Sequence, residues 1–223
     1  CILWLEESKM ETKLVYLIEI IGTIAFAWSG AMVGIRKNLD IFGVIVLGMV
    51  TAVGGGVIRD LLLGLTPPGV FLDPVYAAVA FLTSLLLFLL IYWKQKLLES
   101  RYMMTYERLM NFCDALGLGL FTAVGVHKGY MQGHESGFFL VFLGIITGIG
   151  GGMLRDMLAG EMPFVLYKRV YAIAAIVGGI VCECLLATDV YLAMAAGTLA
   201  TLLIRLLATY YCWDLPKALR SRR

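Results

Sequence analysis

Charged residues are scarce in this chain. Only 15% of its 223 residues are Asp, Glu, Lys or Arg, whereas 61% are hydrophobic. A soluble domain carries roughly 25% charged residues, so this deficit excludes an ordinary soluble domain. The hydrophobic residues also occur in blocks long enough to cross the ~30 Å hydrocarbon layer of a bilayer, which takes about 20 helical residues. The composition therefore predicts an all-α membrane protein with several crossings.

Motifs for catalysis, nucleotide binding and metal binding are missing as well. None of the five cysteines forms a CxxC pair, and no histidine lies near them at metal-ligand spacing. The sequence has no HExxH motif, no GxxxxGK[ST] loop and no Ser-His-Asp set with plausible spacing. We therefore expect no enzyme activity, no cofactor, no metal and no nucleic-acid partner. Transport, if present, would be passive or driven by an ion gradient.

Seven hydrophobic segments are long enough to span a bilayer as helices. Short polar loops separate them. We predict the spans at residues 14–35, 42–64, 74–93, 108–126, 137–160, 168–187 and 190–211.

The distribution of basic residues predicts the orientation of these spans. Outside the spans, twelve Lys and Arg residues fall on one side of the membrane and three on the other. Because positive charge accumulates in cytoplasmic loops, the N-terminus is predicted to lie outside and the C-terminus in the cytoplasm. That result requires an odd number of spans, in agreement with seven.

A GGGxxRD motif, here called the cassette, occurs twice inside apolar spans, about 96 residues apart. Glycine permits backbone conformations that other residues avoid, and an Arg-Asp pair places full charges where lipid would penalise them. The cassette residues are Gly54, Gly55, Gly56, Arg59 and Asp60 in span 2, and Gly150, Gly151, Gly152, Arg155 and Asp156 in span 5. Two copies indicate an internal duplication around a polar path.

The duplication extends beyond the cassettes. Glu19 in span 1 corresponds to Asp114 in span 4, and Phe26 corresponds to Phe121. Each unit holds three spans, and because three is odd the second unit must be inverted in the membrane relative to the first. We divide the chain into an N-terminal segment (1–13, of which 1–9 precede the natural-looking start at Met10), repeat 1 (14–97), inverted repeat 2 (98–188), a seventh span (189–212) and a basic cytoplasmic tail (213–223).

The glycine triplets predict kinks in spans 2 and 5 near the bilayer midplane. A helix broken there frees carbonyl oxygens, which attract cations, and amide groups, which together with arginine attract anions. Close helix packing is the alternative role for the glycines. Both roles can coexist.

The charges inside the spans need partners, whether they stabilise the fold or line a permeation path. Adjacent residues on a helix point about 100° apart, so Arg59 and Asp60 are not expected to pair with each other. Glu19 and Asp114 are the expected partners of the two cassette arginines. Arg205 in span 7 has no counterpart and is expected to reach the cytoplasmic surface.

The doubled cassette, the three-plus-three arrangement and the seventh span resemble the trimeric intracellular cation (TRIC) channel family, in its prokaryotic branch, which overlaps a family named as glycine transporters. The resemblance covers residues 14–211. It implies a homotrimer in a prokaryotic plasma membrane, in contact with membrane lipids and without a cofactor. It also implies one pore per subunit for K⁺ or another monovalent cation, lined by spans 2 and 5 with the ten cassette residues beside it.

Three functions are compatible with these features. A cation channel is favoured by the resemblance and by the near symmetry of the two cassettes. A secondary transporter of a small zwitterion such as glycine is the second. It would bind the carboxylate through arginine and the ammonium through Asp or carbonyl oxygens. Inverted repeats also occur in such carriers. A non-conducting membrane scaffold would leave the doubled charges unexplained.

Overall fold

The computed structural model describes residues 2–93, 100–167, 170–211 and 213. Every regular element in these ranges is a helix. The helices are α1 (Ile2–Arg36), α2 (Ile41–Leu62), α3 (Gly69–Leu72), α4 (Val75–Trp93), α5 (Ser100–Met131), α6 (Gly137–Leu158), α7 (Phe164–Tyr167), α8 (Tyr171–Leu186) and α9 (Val190–Tyr210).

Seven of these helices correspond to the seven predicted spans. Six are long and apolar enough to cross a bilayer, and the seventh, α8, is a shorter apolar helix. The protein is therefore a multi-pass helical membrane protein, as predicted. The basic tail from residue 214 onward and the loop at 94–99 lie outside the described residues.

The helix ends follow from local sequence signals. Asp40, Ser136 and Asp189 each cap the start of a helix by accepting a hydrogen bond from the backbone N–H three residues later, as N-cap side chains commonly do. The two cassette helices end alike, with Gly64 (φ +70°) after α2 and Gly160 (φ +67°) after α6. Glycine suits this left-handed position, and α2 and α6 each end two residues after the aspartate of the cassette.

The packing centres on α5 and on the crossing of α2 with α6. Helix α5 contacts α1, α6, α8 and α9, while α2 contacts α1, α4 and α6. At the α1–α5 crossing the rings of Phe26 and Phe121 lie 5.2 Å apart. Gly22 on one helix faces Phe121 and Gly117 on the other faces Phe26, so each ring fills the space that a glycine leaves.

The glycine triplets bring the backbones of α2 and α6 into direct contact. A Cβ atom on Gly55 would collide with the carbonyl oxygen of Thr147, and one on Gly151 would collide with that of Thr51. A Cβ on Gly150 would lie 3.2 Å from the Cα of Gly55. Close packing is therefore one role of the triplets, since only glycine allows this approach.

Both helices run through the triplets without interruption, so the expected broken helix ends are not formed. Where the two helices touch, each therefore satisfies its backbone polar groups within its own helix, as the membrane interior requires. A bend at the triplets stays a prediction.

We expect Gly55→Ala to lower the free energy of unfolding by about 1–3 kcal/mol, because overpacking a tight contact forces backbone shifts. Thermal unfolding of the purified protein in detergent measures this as a lower midpoint. Gly56→Ala is the matched control, since a Cβ there would meet only the Arg59 Nη2 at an ordinary 3.6 Å. Equal midpoints for the two variants would contradict the packing role.

Candidate functional site

Each cassette arginine pairs with the aspartate that follows it. Arg59 donates from Nε to Asp60 Oδ1 over 2.8 Å, and Arg155 donates in the same way to Asp156 over 2.8 Å. The expectation that neighbouring residues would not pair is therefore wrong. The arginine side chain is long enough to fold back around the helix toward the carboxylate, so the 100° separation of the two Cβ directions does not prevent contact.

The aspartates also anchor the short helices that follow the cassettes. Asp60 Oδ2 accepts a hydrogen bond from the backbone N–H of Gly69, the first residue of α3, over 2.8 Å. Asp156 Oδ2 accepts one from Phe164, the first residue of α7, over 2.8 Å. Each carboxylate thus neutralises an arginine and caps a short helix at once.

Arg155 lies at the centre of a buried charge cluster. Its side chain is fully buried and donates from Nη1 to Asp114 Oδ1 over 2.7 Å and to Ser29 Oγ over 2.6 Å. Asp114 is therefore a partner of a cassette arginine, as expected. A buried guanidinium requires such partners because its desolvation is costly.

Arg205 belongs to the same cluster. Only 3% of the residue is exposed, and its Nη2 lies 4.0 Å from Asp114 Oδ2. The guanidinium also lies over the ring of Tyr171, 4.5 Å from the ring centroid. The expectation that Arg205 reaches the surface is wrong, because the carboxylate and the aromatic ring together hold it inside. The signal that could have found it is an arginine well inside an apolar span.

In the first repeat, the charged residues at the equivalent positions form different pairs. Glu19 accepts a hydrogen bond from the Tyr76 hydroxyl over 2.6 Å and forms an ion pair with Lys128 over 2.8 Å. Among the described residues it forms an ion pair with neither Arg59 nor Arg155, so the expectation that Glu19 partners a cassette arginine is wrong. Lys128 lies beyond the predicted end of span 4 at residue 126, but α5 continues to Met131 and brings the lysine to Glu19.

Two adjoining cavities lie on this side of α2, and together they are called the vestibule. The inner cavity has a volume of about 260 Å³ and the other about 550 Å³. Both are lined by Glu19, Asp60, Gly69, Tyr76 and Lys128. Gly56, Arg59 and Asp73 line the inner cavity. Neither cavity is lined by Asp114 or Arg155.

His127 lines the larger cavity and is 7% exposed. His127 also lies beyond the predicted end of span 4 at residue 126, and it is buried because α5 continues to Met131. Its Nδ1 has no hydrogen-bond partner among the described residues.

A protein-family model and several membrane proteins match this chain. The model of a family described as "Glycine transporter" matches residues 16–92 and again residues 111–187. A UPF0126 membrane protein of Vibrio cholerae is 41% identical over 212 residues, covering 94% of this chain and 85% of its own length. The inner membrane protein YadS of Escherichia coli K12 is 41% identical over 207 residues, covering 91% and 95%.

Solved structures of TRIC channels are similar to this chain along nearly its whole length. The TRIC orthologue of Rhodobacter sphaeroides has a TM-score of 0.79 and 33% identity, covering 90% of this chain and 99% of its own. A prokaryotic TRIC channel determined in 0.5 M KCl has a TM-score of 0.82 and 32% identity, covering 92% and 100%. The predicted resemblance is confirmed, and these structural neighbours are ion channels.

We expect Asp114→Asn to destabilise the protein by about 3–5 kcal/mol, because it removes the partner of a fully buried arginine. Glu19→Gln at the equivalent position should cost less, since the side chain of its partner Lys128 is 34% exposed and can be solvated. Thermal unfolding in detergent measures both. A larger loss for Glu19→Gln would contradict this assignment of the buried cluster.

Proposed function

This chain belongs to the glycine transporter family, and we propose that within it the protein works as a passive channel for monovalent cations, K⁺ foremost. The observation that carries the proposal is the likeness to TRIC cation channels, at 32–35% identity over at least 90% of the chain. We further propose the homotrimeric assembly that the name of those channels describes. The orientation proposed from the basic residues puts the vestibule on the outer side of the membrane.

The electrostatics of the vestibule support cations over anions. A cassette arginine would repel a cation, but Arg59 is matched by Asp60, with N–O distances of 2.7 and 2.8 Å. The inner cavity is also lined by two more carboxylates, those of Glu19 and Asp73, and by one more basic side chain, that of Lys128. Three carboxylates against two basic groups leave one negative charge in excess, which raises the local concentration of cations.

The ion path follows the open face of α2. The two helices that the sequence predicts as pore walls touch through their backbones at Gly55 and Gly151, which leaves no room at that point. Gly56 instead faces the inner cavity beside Arg59. We therefore propose that ions pass along the Gly56 side of the α2–α6 crossing, with the triplets acting as the close-packed wall.

Single-channel recording of the purified protein in planar bilayers, with a KCl gradient and no amino acid, tests the proposal. We expect discrete current steps that reverse near the potassium equilibrium potential. Reversal near the chloride potential would contradict a cation channel.

Uptake of a small zwitterion such as glycine is the second candidate function. The vestibule favours it because acidic and basic groups line one compact cavity, as a zwitterion requires, and because the matched family model carries that name. Silence in the bilayer together with saturable uptake of labelled glycine into liposomes would replace the channel with this carrier. Currents that reverse near the chloride equilibrium potential would support neither function.

We expect Asp60→Asn to reduce single-channel K⁺ conductance several-fold and to weaken the selectivity for K⁺ over Cl⁻, because Arg59 then faces the path without its counter-charge. Bilayer recording of both quantities checks this. Glu135→Gln is the matched control, since it removes a carboxylate from an exposed loop outside both cavities of the vestibule. Equal conductance in the two variants would argue against a path beside Arg59.

A further inference from the structure

An apolar groove with one carboxylate runs between α6 and α8, on the outside of the bundle. Its volume is about 490 Å³, within the range of cavities that hold a small ligand. Phe142 and Ile145 of α6 face Ile176 and Ile180 of α8 across it. Among the residues that the structure describes, Glu183 is the only charged one in the lining. The groove therefore offers an apolar surface and a single negative charge.

The carboxylate lies at the end of the groove where both helices reach the membrane surface. Gly137 is the first residue of α6, and Glu183 lies three residues before the end of α8. A Cβ on Gly137 would collide with Glu183 Oε1, so the carboxylate lies over the start of α6. From there the groove extends to Ile145, about 12 Å along the helix. One leaflet contributes about 15 Å of hydrocarbon, so the groove matches the depth of a single leaflet.

Within the described ranges Glu183 has no basic partner. Its Oε2 accepts a hydrogen bond from Cys184 Sγ over 3.6 Å, and a thiol is a weak donor. Lys and Arg are absent from residues 129–154 and 171–204, which contain the groove walls and both loops at its charged end. Besides one histidine, the ionisable side chains at that end are the acids Glu135, Glu183 and Asp189. This end of the groove therefore attracts cations and repels anions.

The fold does not require an acid at this position. The alignment that pairs Tyr76 with Tyr171 also pairs Phe88 with Glu183. Phe88 packs against a buried cluster of α1, α2 and α4 and stacks on the ring of Tyr92 at 6.0 Å. Packing therefore accounts for the residue in the first repeat but not for the carboxylate in the second. An ionisable group inside an apolar span commonly belongs to a binding site.

We propose that this groove binds a phospholipid whose headgroup carries a primary ammonium, with an acyl chain between α6 and α8 and the ammonium on Glu183. The depth of the groove suits a molecule of one leaflet, whereas a helix from a second copy of this chain would cross both leaflets. The acids at the charged end select a cationic group. By the proposed orientation the lipid lies in the outer leaflet. The inference does not depend on ion conduction.

Fluorescence quenching by brominated lipids tests the site. The four native tryptophans are replaced by phenylalanine, and Phe142→Trp then places a reporter in the groove. Phe81→Trp on α4 is the matched control reporter, since Phe142 and Phe81 are 39% and 40% exposed. The protein is reconstituted into phosphatidylcholine vesicles that contain brominated phosphatidylethanolamine or brominated phosphatidylglycerol. Quenching gives the binding of each lipid relative to phosphatidylcholine.

With the F142W reporter we expect phosphatidylethanolamine to bind about threefold more tightly than phosphatidylglycerol, on the scale of a solvent-accessible ion pair. Glu183→Gln should abolish this preference, because the amide keeps the size of the side chain and loses its charge. Glu135→Gln, which removes an acid that does not line the groove, should retain it. The F81W reporter should show no preference in any of these variants.

Three results would overturn the lipid site: equal binding of the two lipids beside F142W, a preference that Glu183→Gln leaves unchanged, or an F142W reporter that neither lipid quenches. The last result would mean that protein, such as a second copy of this chain, covers the groove. Size-exclusion chromatography shows whether Glu183→Gln is folded. If it is not, Glu183→Asp replaces it, since a shorter carboxylate should weaken the preference while keeping the charge.

Discussion

A guanidinium enclosed in a membrane protein must be matched by carboxylates, and Arg155 is the group on which the arrangement of this bundle depends. Its side chain, fully buried, contacts Ser29 of α1, Asp114 of α5 and Asp156 of α6. It also lies over the ring of Phe164 at the start of α7, 4.9 Å from the centroid. One charge therefore links four helices. Removing a partner would leave an uncompensated buried ion, which typically costs about 3–5 kcal/mol.

The other half of the molecule uses the same residue types and leaves a space. Within the described part of the chain Arg59 pairs with its neighbouring aspartate alone, while Glu19 contacts Tyr76 and Lys128. Glutamate is longer than aspartate, and Lys128 lines both cavities beside Glu19. Equivalent positions with unequal partners thus give a polar vestibule on one side and a sealed cluster on the other. In the proposed channel this asymmetry matters more than the glycine triplets, whose first two members are occupied by helix packing.

The sequence predicts the helices well because bilayer thickness fixes their length, and the seven spans correspond to α1, α2, α4, α5, α6, α8 and α9. It also predicts Asp114 as a partner for a cassette arginine, since the duplication aligns Asp114 with another acid inside a span. It cannot predict that Glu19 prefers Lys128, because that choice depends on α5 continuing one turn beyond its apolar stretch. Nor can it predict the Arg59–Asp60 contact, which depends on the side-chain rotamer, or the burial of Arg205, which depends on the neighbouring Tyr171.

Double-mutant cycles on the two equivalent charge pairs test the central claim most directly. In each cycle the arginine is replaced by glutamine and the acid by its amide, singly and together, and the free energy of unfolding is measured. The account predicts a coupling energy of about 2–3 kcal/mol between Arg155 and Asp114, in the upper range for contacting residues. It predicts a value within about 0.5 kcal/mol of zero between Arg59 and Glu19. Equal coupling in both cycles would contradict the asymmetric pairing.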